Sequence, residues 1–91
     1  MDYQWDKNKA ELNLKKHGID FADAVGVFED DWALTLDEQI VGGEQRFVTM
    51  GMDFLGRIIV LIYIYRADAI RIISARSATN NERETYEQRR V

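Results

Sequence analysis

The chain has no cysteine, no proline and a single histidine, His17. Without thiols, disulfides and thiolate metal sites are excluded. A zinc ion would need three carboxylates around the one imidazole, an unusual donor set, so neither a metal nor a cofactor is expected. The longest apolar run, IIVLIYIY at 58–65, is too short to span a bilayer, and no basic-then-apolar signal segment opens the chain. The expectation is a cytoplasmic protein without membrane contact. Base is also missing from one long stretch. Residues 20–45 hold eight acids (Asp20, Asp23, Glu29, Asp30, Asp31, Asp37, Glu38 and Glu44) and no lysine or arginine.

What is present fits one domain over residues 1–91, 46% hydrophobic and 31% charged. The net charge of −4 argues against strong non-specific nucleic-acid binding, which draws on phosphate neutralisation. The flanks differ from the total. Residues 1–19 carry four lysines against three acids, and residues 46–91 carry eight arginines against five acids. A local basic cleft is compatible with such a distribution. The acidic middle is either a solvated face or a docking surface for a basic partner.

Local signals give a coarse outline. Asp6 is a good N-cap for a helix over about residues 7–17, and Gly18 suits the left-handed position that stops it. Asp20 caps a second helix, in which Phe21, Ala24, Val25 and Phe28 make one apolar face and which ends in Glu29, Asp30 and Asp31. Strands are predicted at 32–36, 46–52, 57–66 and 69–76, with a turn-like EQIVGGEQ after the first and DFLG (53–56) as a hairpin loop. The third strand is apolar on both faces, as a covered central strand should be. Residues 3–5 could add a short first strand. Thr79 and Glu82 form a capping box for a helix over about residues 80–90, whose only apolar residue of note is Tyr86. Together these predict an α+β domain: a small antiparallel sheet of three to five strands, two N-terminal helices and one C-terminal helix. The last helix would lie loosely on the body or await a partner.

Chemistry could sit in two places. At 100° per residue, Lys9, Asn13 and Lys16 form a polar, basic stripe on the first helix, with Ala10 and Leu14 facing the core and His17 at the boundary. His17 is either a general acid/base or the end of a helix, where an imidazolium favours the dipole. In the strand IRIISAR, regular alternation puts Arg76 on a face with Ile70 and Ile72, where its charge needs a carboxylate, such as Glu82, or a phosphate. Arg46, sharing a face with Val48 and Met50, poses the same choice. Metal-free RNA cleavage needs a base for the 2′-hydroxyl, cations for the phosphorane and an acid for the leaving oxygen. Glu44 or His17 could be the base, with Lys16, Arg46 and Arg76 as stabilisers.

Trp5, Asp6, Lys9, Asn13, Lys16, His17, Gly18 and Phe21 spell WDxxKxxxNxxKHGxxF, followed by Ala24 and Phe28. Glu44, Arg46, Phe47 and Gly51 then give ExRFxxxG, and Arg71 to Arg76 with Ala78, Glu82 and Tyr86 give RIISARxAxxxExxxY. In this order, across nearly the whole chain, they resemble the BrnT toxin family. The resemblance implies a RelE-like fold and a ribonuclease toxin of a type II toxin–antitoxin pair, neutralised by a ribbon-helix-helix antitoxin of the BrnA type. The hetero-oligomer would repress its own operon and contact DNA only through the antitoxin. It also implies Lys16, His17, Glu44, Arg46 and Arg76 as catalytic residues, with Lys9, Asn13 and Arg71 on the RNA. An antitoxin would meet Glu29, Asp30, Asp31 and Tyr86. The alternatives are a non-catalytic module with the same partner, or a homodimer docked through its last helix.

Overall fold

The computed structural model describes residues 1–90; Val91, the last residue of the expected domain, lies outside them. The apolar run of the sequence becomes β4 (Ile58–Arg66) and takes the middle of a five-stranded sheet. That position covers both of its faces, which a strand apolar on both sides requires. Around it stand β1 (Asp2–Gln4), β5 (Ala69–Ser77), β3 (Glu44–Met52) and β2 (Leu34–Val41), in the order β1-β5-β4-β3-β2. The sheet is mixed, not antiparallel as expected, because β1 pairs parallel to β5 through Asp2↔Ala69 and Gln4↔Arg71.

The helix α1 (Lys7–His17) forms as its caps dictate. Asp6 accepts from the N–H groups of Asn8 and Lys9, and Gly18 stops the helix at φ 71. The second N-terminal helix does not form as expected. After Asp20, only Phe21–Ala24 (α2) is α-helical, and Val25–Glu29 tighten into a 3-10 helix. The tighter turn brings Val27 into the core beside Phe21 and Ala24, and leaves Val25 and Phe28 half-buried. One regular helix therefore follows the first strand, not two.

The turn-like EQIVGGEQ is also mostly strand. Only Gly42 and Gly43 turn, both at positive φ (59 and 79), the requirement of a two-residue type I′ hairpin. Because the turn is so tight, β2 runs on to Val41, well past the expected end at 36, and β3 starts at Glu44, just before the expected 46–52.

The sheet buries a cluster on each face. Ile59, Leu61, Tyr63, Ile70, Ile72 and Ala75 pack with Ile19, Phe21, Ala24 and Val27 on one side. On the other, Val48, Met50, Ile58 and Val60 pack with Tyr86 of α3 (Asn80–Arg89). The last helix is thus docked and not loose. Its capping box forms, and the Tyr86 hydroxyl donates to Asp30 Oδ2 at 2.7 Å.

Candidate nucleic-acid interface

Alternation along β5 is broken once. The pairing with β4 slips between Ile62 and Tyr63, so that Ile62 faces Ser74 while Tyr63 faces Ile72. Ile73 is the extra residue of a bulge. Ala75 thereby joins Ile70 and Ile72 in the core, and Arg76 moves to the opposite face from the isoleucines it was expected to accompany. There it pairs across to Val60, and its guanidinium grips Glu82 of α3 with two donors, at 2.8 and 3.1 Å. Of the two partners the sequence allowed for Arg76, the carboxylate is the one in contact. This bidentate hydrogen bond holds the Glu82 carboxyl down to about 2, helped by the Thr79 N–H.

The same face carries Arg46 and Arg71. Arg46 alternates with Val48 and Met50, and Arg71 pairs with Ile64. With one strand between them, their Cα atoms stand about 10 Å apart. Glu44 lies beside Arg46, its Oε1 3.7 Å from Nε, which is an ion pair but no hydrogen bond. Arg46 Nε has no hydrogen-bond partner among the described residues. That nitrogen is buried, and the rest of the side chain, 29% exposed, is the part an anion would meet.

The second group is a groove between α1 and the bulge, lined by Lys9, Leu12, Asn13, Lys16, His17, Ile73 and Ser74, with a volume of ≈ 200 Å³. His17 is half-buried there, while Lys9 and Lys16 are exposed. No acid lies in the first turn of α1, and Lys15, Lys16 and His17 crowd its last, which suits the dipole and makes this end positive. Ser74, Ile73 and Leu12 were not anticipated. The one available signal was a hydroxyl inside an isoleucine run.

Asn13 does not face solvent as expected. It is 7% exposed, and its amide donates to Ala75 O and Ile19 O and accepts from Ala75 N–H. Beyond Arg71, β1 no longer pairs with β5, so Ala75 would have an unpaired edge; Asn13 fills that place. The buried side of α1 consequently runs Ala10–Asn13–His17, and Leu14, expected in the core, is 48% exposed.

The two groups are separate. Glu44 precedes Val48 by four residues, and Val48 is level with Ser74 two strands away. At ordinary sheet spacings Glu44 and Ser74 are about 16 Å apart, and Arg46 and Ser74 about 12 Å. His17 lies beyond β5 again. Glu44 and His17 therefore cannot reach one reacting phosphate together.

Of the residues expected to meet an antitoxin, Glu29 and Asp31 are exposed. Asp30 and Tyr86 are occupied internally. Asp30 accepts from the N–H groups of Trp32 and Met52 as well as from Tyr86, and Tyr86 is 1% exposed. Burial raises the Asp30 carboxyl, but these three hydrogen bonds outweigh it and hold the group below its ordinary value. Burial and the Asp30 contact push the Tyr86 hydroxyl up to about 12.

Both carboxyls that anchor α3, Glu82 and Asp30, are depressed by folding. Their stabilisation is complete above the unfolded values, 4.5 and 3.8, and is lost as pH falls through the folded ones. Acidification from pH 4.5 towards 2 is expected to weaken the docking of α3. Near-ultraviolet circular dichroism of wild type and Glu82→Gln checks this; the variant should lack part of that transition.

The fold is a mixed α+β sheet domain with arginines on one face and a basic groove at its edge. The family of the ribonuclease toxin BrnT of type II toxin–antitoxin systems matches residues 5–82, and the chain belongs to it. It is similar to the ribonuclease toxin BrnT of Brucella abortus, with 29% sequence identity. That crystal structure aligns with a TM-score of 0.67 over 88% of this chain and 99% of the other. No curated protein sequence matches it. A toxin of such a pair has an antitoxin as partner. No helix among the described residues is long and apolar enough to cross a membrane.

Proposed function

We propose that this chain is a RelE-like endoribonuclease, a single toxin domain that cleaves RNA without a metal. A ribbon-helix-helix antitoxin of the BrnA type neutralises it, and the complex represses its own operon, with DNA held by the antitoxin. The observation that carries the nuclease reading is the basic groove holding Lys9, Lys16 and His17 beside the arginine-bearing face of the sheet. An acid or base must lie within hydrogen-bond reach of the proton it moves, roughly 3 Å. Glu44 and His17 are too far apart to share a phosphate, so one group does the chemistry and the other holds the strand.

We assign the chemistry to the groove. His17 takes the 2′-hydroxyl proton as that oxygen attacks the phosphorus, and Lys16 stabilises the charge that builds on the phosphorane. The 5′-oxygen leaves with a proton from water, giving a 2′,3′-cyclic phosphate. Arg46, through the exposed part of its guanidinium, and Arg71 bind a neighbouring phosphate, while Glu44 orients Arg46. Arg76 acts through Glu82 as a positioning residue for α3. Counter-charge confined to these two patches accounts for RNA binding by a chain whose net charge is −4.

The test is cleavage of a long unstructured RNA by the purified, antitoxin-free chain in excess EDTA. Wild type is expected to give fragments. His17→Gln should lose about 10²-fold or more in rate. Arg46→Ala should raise the RNA concentration needed for half-maximal rate, with the fold retained. A larger rate loss in Glu44→Gln than in His17→Gln would reverse the assignment. No fragments from folded wild type, with or without ribosomes, would leave the non-catalytic module that only binds the antitoxin.

A further inference from the structure

The sheet has two edges, and they are finished differently. On the β5 side, β1 covers the first part and Asn13 seals Ala75. The other edge is β2, eight residues long, pairing with β3 alone. Long open edges are usually blunted by lysine, by proline or by a covering element. Here there is no proline in the chain and no base from residue 20 to residue 45. A bulge near Leu36 interrupts the strand, which leaves Asp37–Val41 as a regular stretch.

Which groups point outward follows from the hairpin. A two-residue type I′ turn closes on a hydrogen-bonded pair, here Val41 and Glu44, and bonded pairs alternate along an antiparallel ladder. Gln39 and Asp37 are then bonded to β3, and the backbone of Ile40 and Glu38 is turned away. The Glu38 N–H is held by the Asp37 carboxylate at 2.8 Å. Ile40 is 79% exposed and Val41 45%, on opposite faces of the strand. Such an edge offers main-chain pairing plus an apolar contact on either side.

We infer that the outer edge of β2 takes up an extended, basic segment of the antitoxin as an added sixth strand. The inference rests on the antitoxin reading above and adds the place and mode of contact. Charge selects the occupant. Asp37 and Glu38 lie on the strand, and Glu29 and Asp31 are exposed just before it. A second copy of this chain would set the same acids against each other, whereas lysines or arginines on an incoming strand would pair with them. The surface is distant from the groove: β2 lies at the far side of the sheet from α1. Occupying it does not of itself cover His17, so the strand serves as an anchor for whatever else the antitoxin places over the RNA face.

The experiment is amide hydrogen exchange on the full chain, free and in complex with the antitoxin of its own operon, with Ile40→Pro and Glu38→Lys beside wild type. Ile40→Pro removes an outward N–H and no bond to β3. The expected result is at least tenfold slower exchange at Ile40 in the complex. Both variants should lower antitoxin affinity at least tenfold while RNA cleavage by the free chain stays at the wild-type rate. A neutralised complex in which Ile40 exchanges as fast as in the free chain would overturn the inference and leave the antitoxin reading intact. Failure of wild type to form any complex would overturn both. Protection of Ile40 in wild type that grows with concentration of the free chain would replace the antitoxin strand with a second copy.

Discussion

Tyr86→Ala is expected to cost about 3–5 kcal/mol, as truncation of a fully buried aromatic usually does. Tyr86 is the ring that fastens α3 to Val48, Met50, Ile58 and Val60, and α3 has no other buried residue. Removing it opens a cavity under the helix and takes from Asp30 the shortest of its three hydrogen bonds. A domain of this size has roughly 5–15 kcal/mol to lose, so the variant should be partly unfolded or close to it. Urea titration followed by circular dichroism reads the loss. Tyr86→Phe, which keeps the ring and loses only the hydroxyl, should cost about 1 kcal/mol. Equal losses in the two variants would mean that the hydrogen bond to Asp30, and not the packing, carries the docking of α3.

Asn13→Ala is expected to destabilise the chain by about 2–4 kcal/mol, because the buried N–H and C=O of Ala75 would both lose their partner. The Ile19 carbonyl loses a donor as well. This outcome separates a structural residue from a substrate contact. Lys16→Ala, one turn away and exposed, should leave the denaturation midpoint within about 0.5 kcal/mol of wild type. If Asn13→Ala kept full stability and lost only RNA affinity, Asn13 would belong to the interface after all. Asn13→Asp is a sharper version: it keeps the acceptor for the Ala75 N–H and removes both donors.

The contrast between Asn13 and Leu14 says what one helix could reveal of itself. By polarity, Leu14 belonged inside and Asn13 outside. The structure reverses them, because the neighbour of α1 is the open edge of a strand, and such an edge needs an amide more than it needs a methyl group. Arg76 teaches the same lesson. Its face was assigned by strict alternation, and one bulge residue, Ile73, inverted it. Tyr86 looked like a lone aromatic on a polar helix, yet with Asp30 to bond, and with Glu82 held by Arg76, it seats ten residues on the sheet.

Local chemistry was decided by the sequence alone. Asp6, Gly18, Asp20 and the Thr79–Glu82 box acted where they stand, because caps depend on neighbours within a few residues. The centre of the sheet was equally legible, since a strand apolar on both faces has one suitable place. The family motifs from Trp5 to Glu82 were readable as well, and with them the toxin identity. Tertiary structure alone decided the parallel pairing of β1, the length of β2, the separation of Glu44 from His17 and the burial of Asn13. Each of these depends on which strand lies beside which, and with what register, and pairing between distant segments leaves no periodic mark in either one.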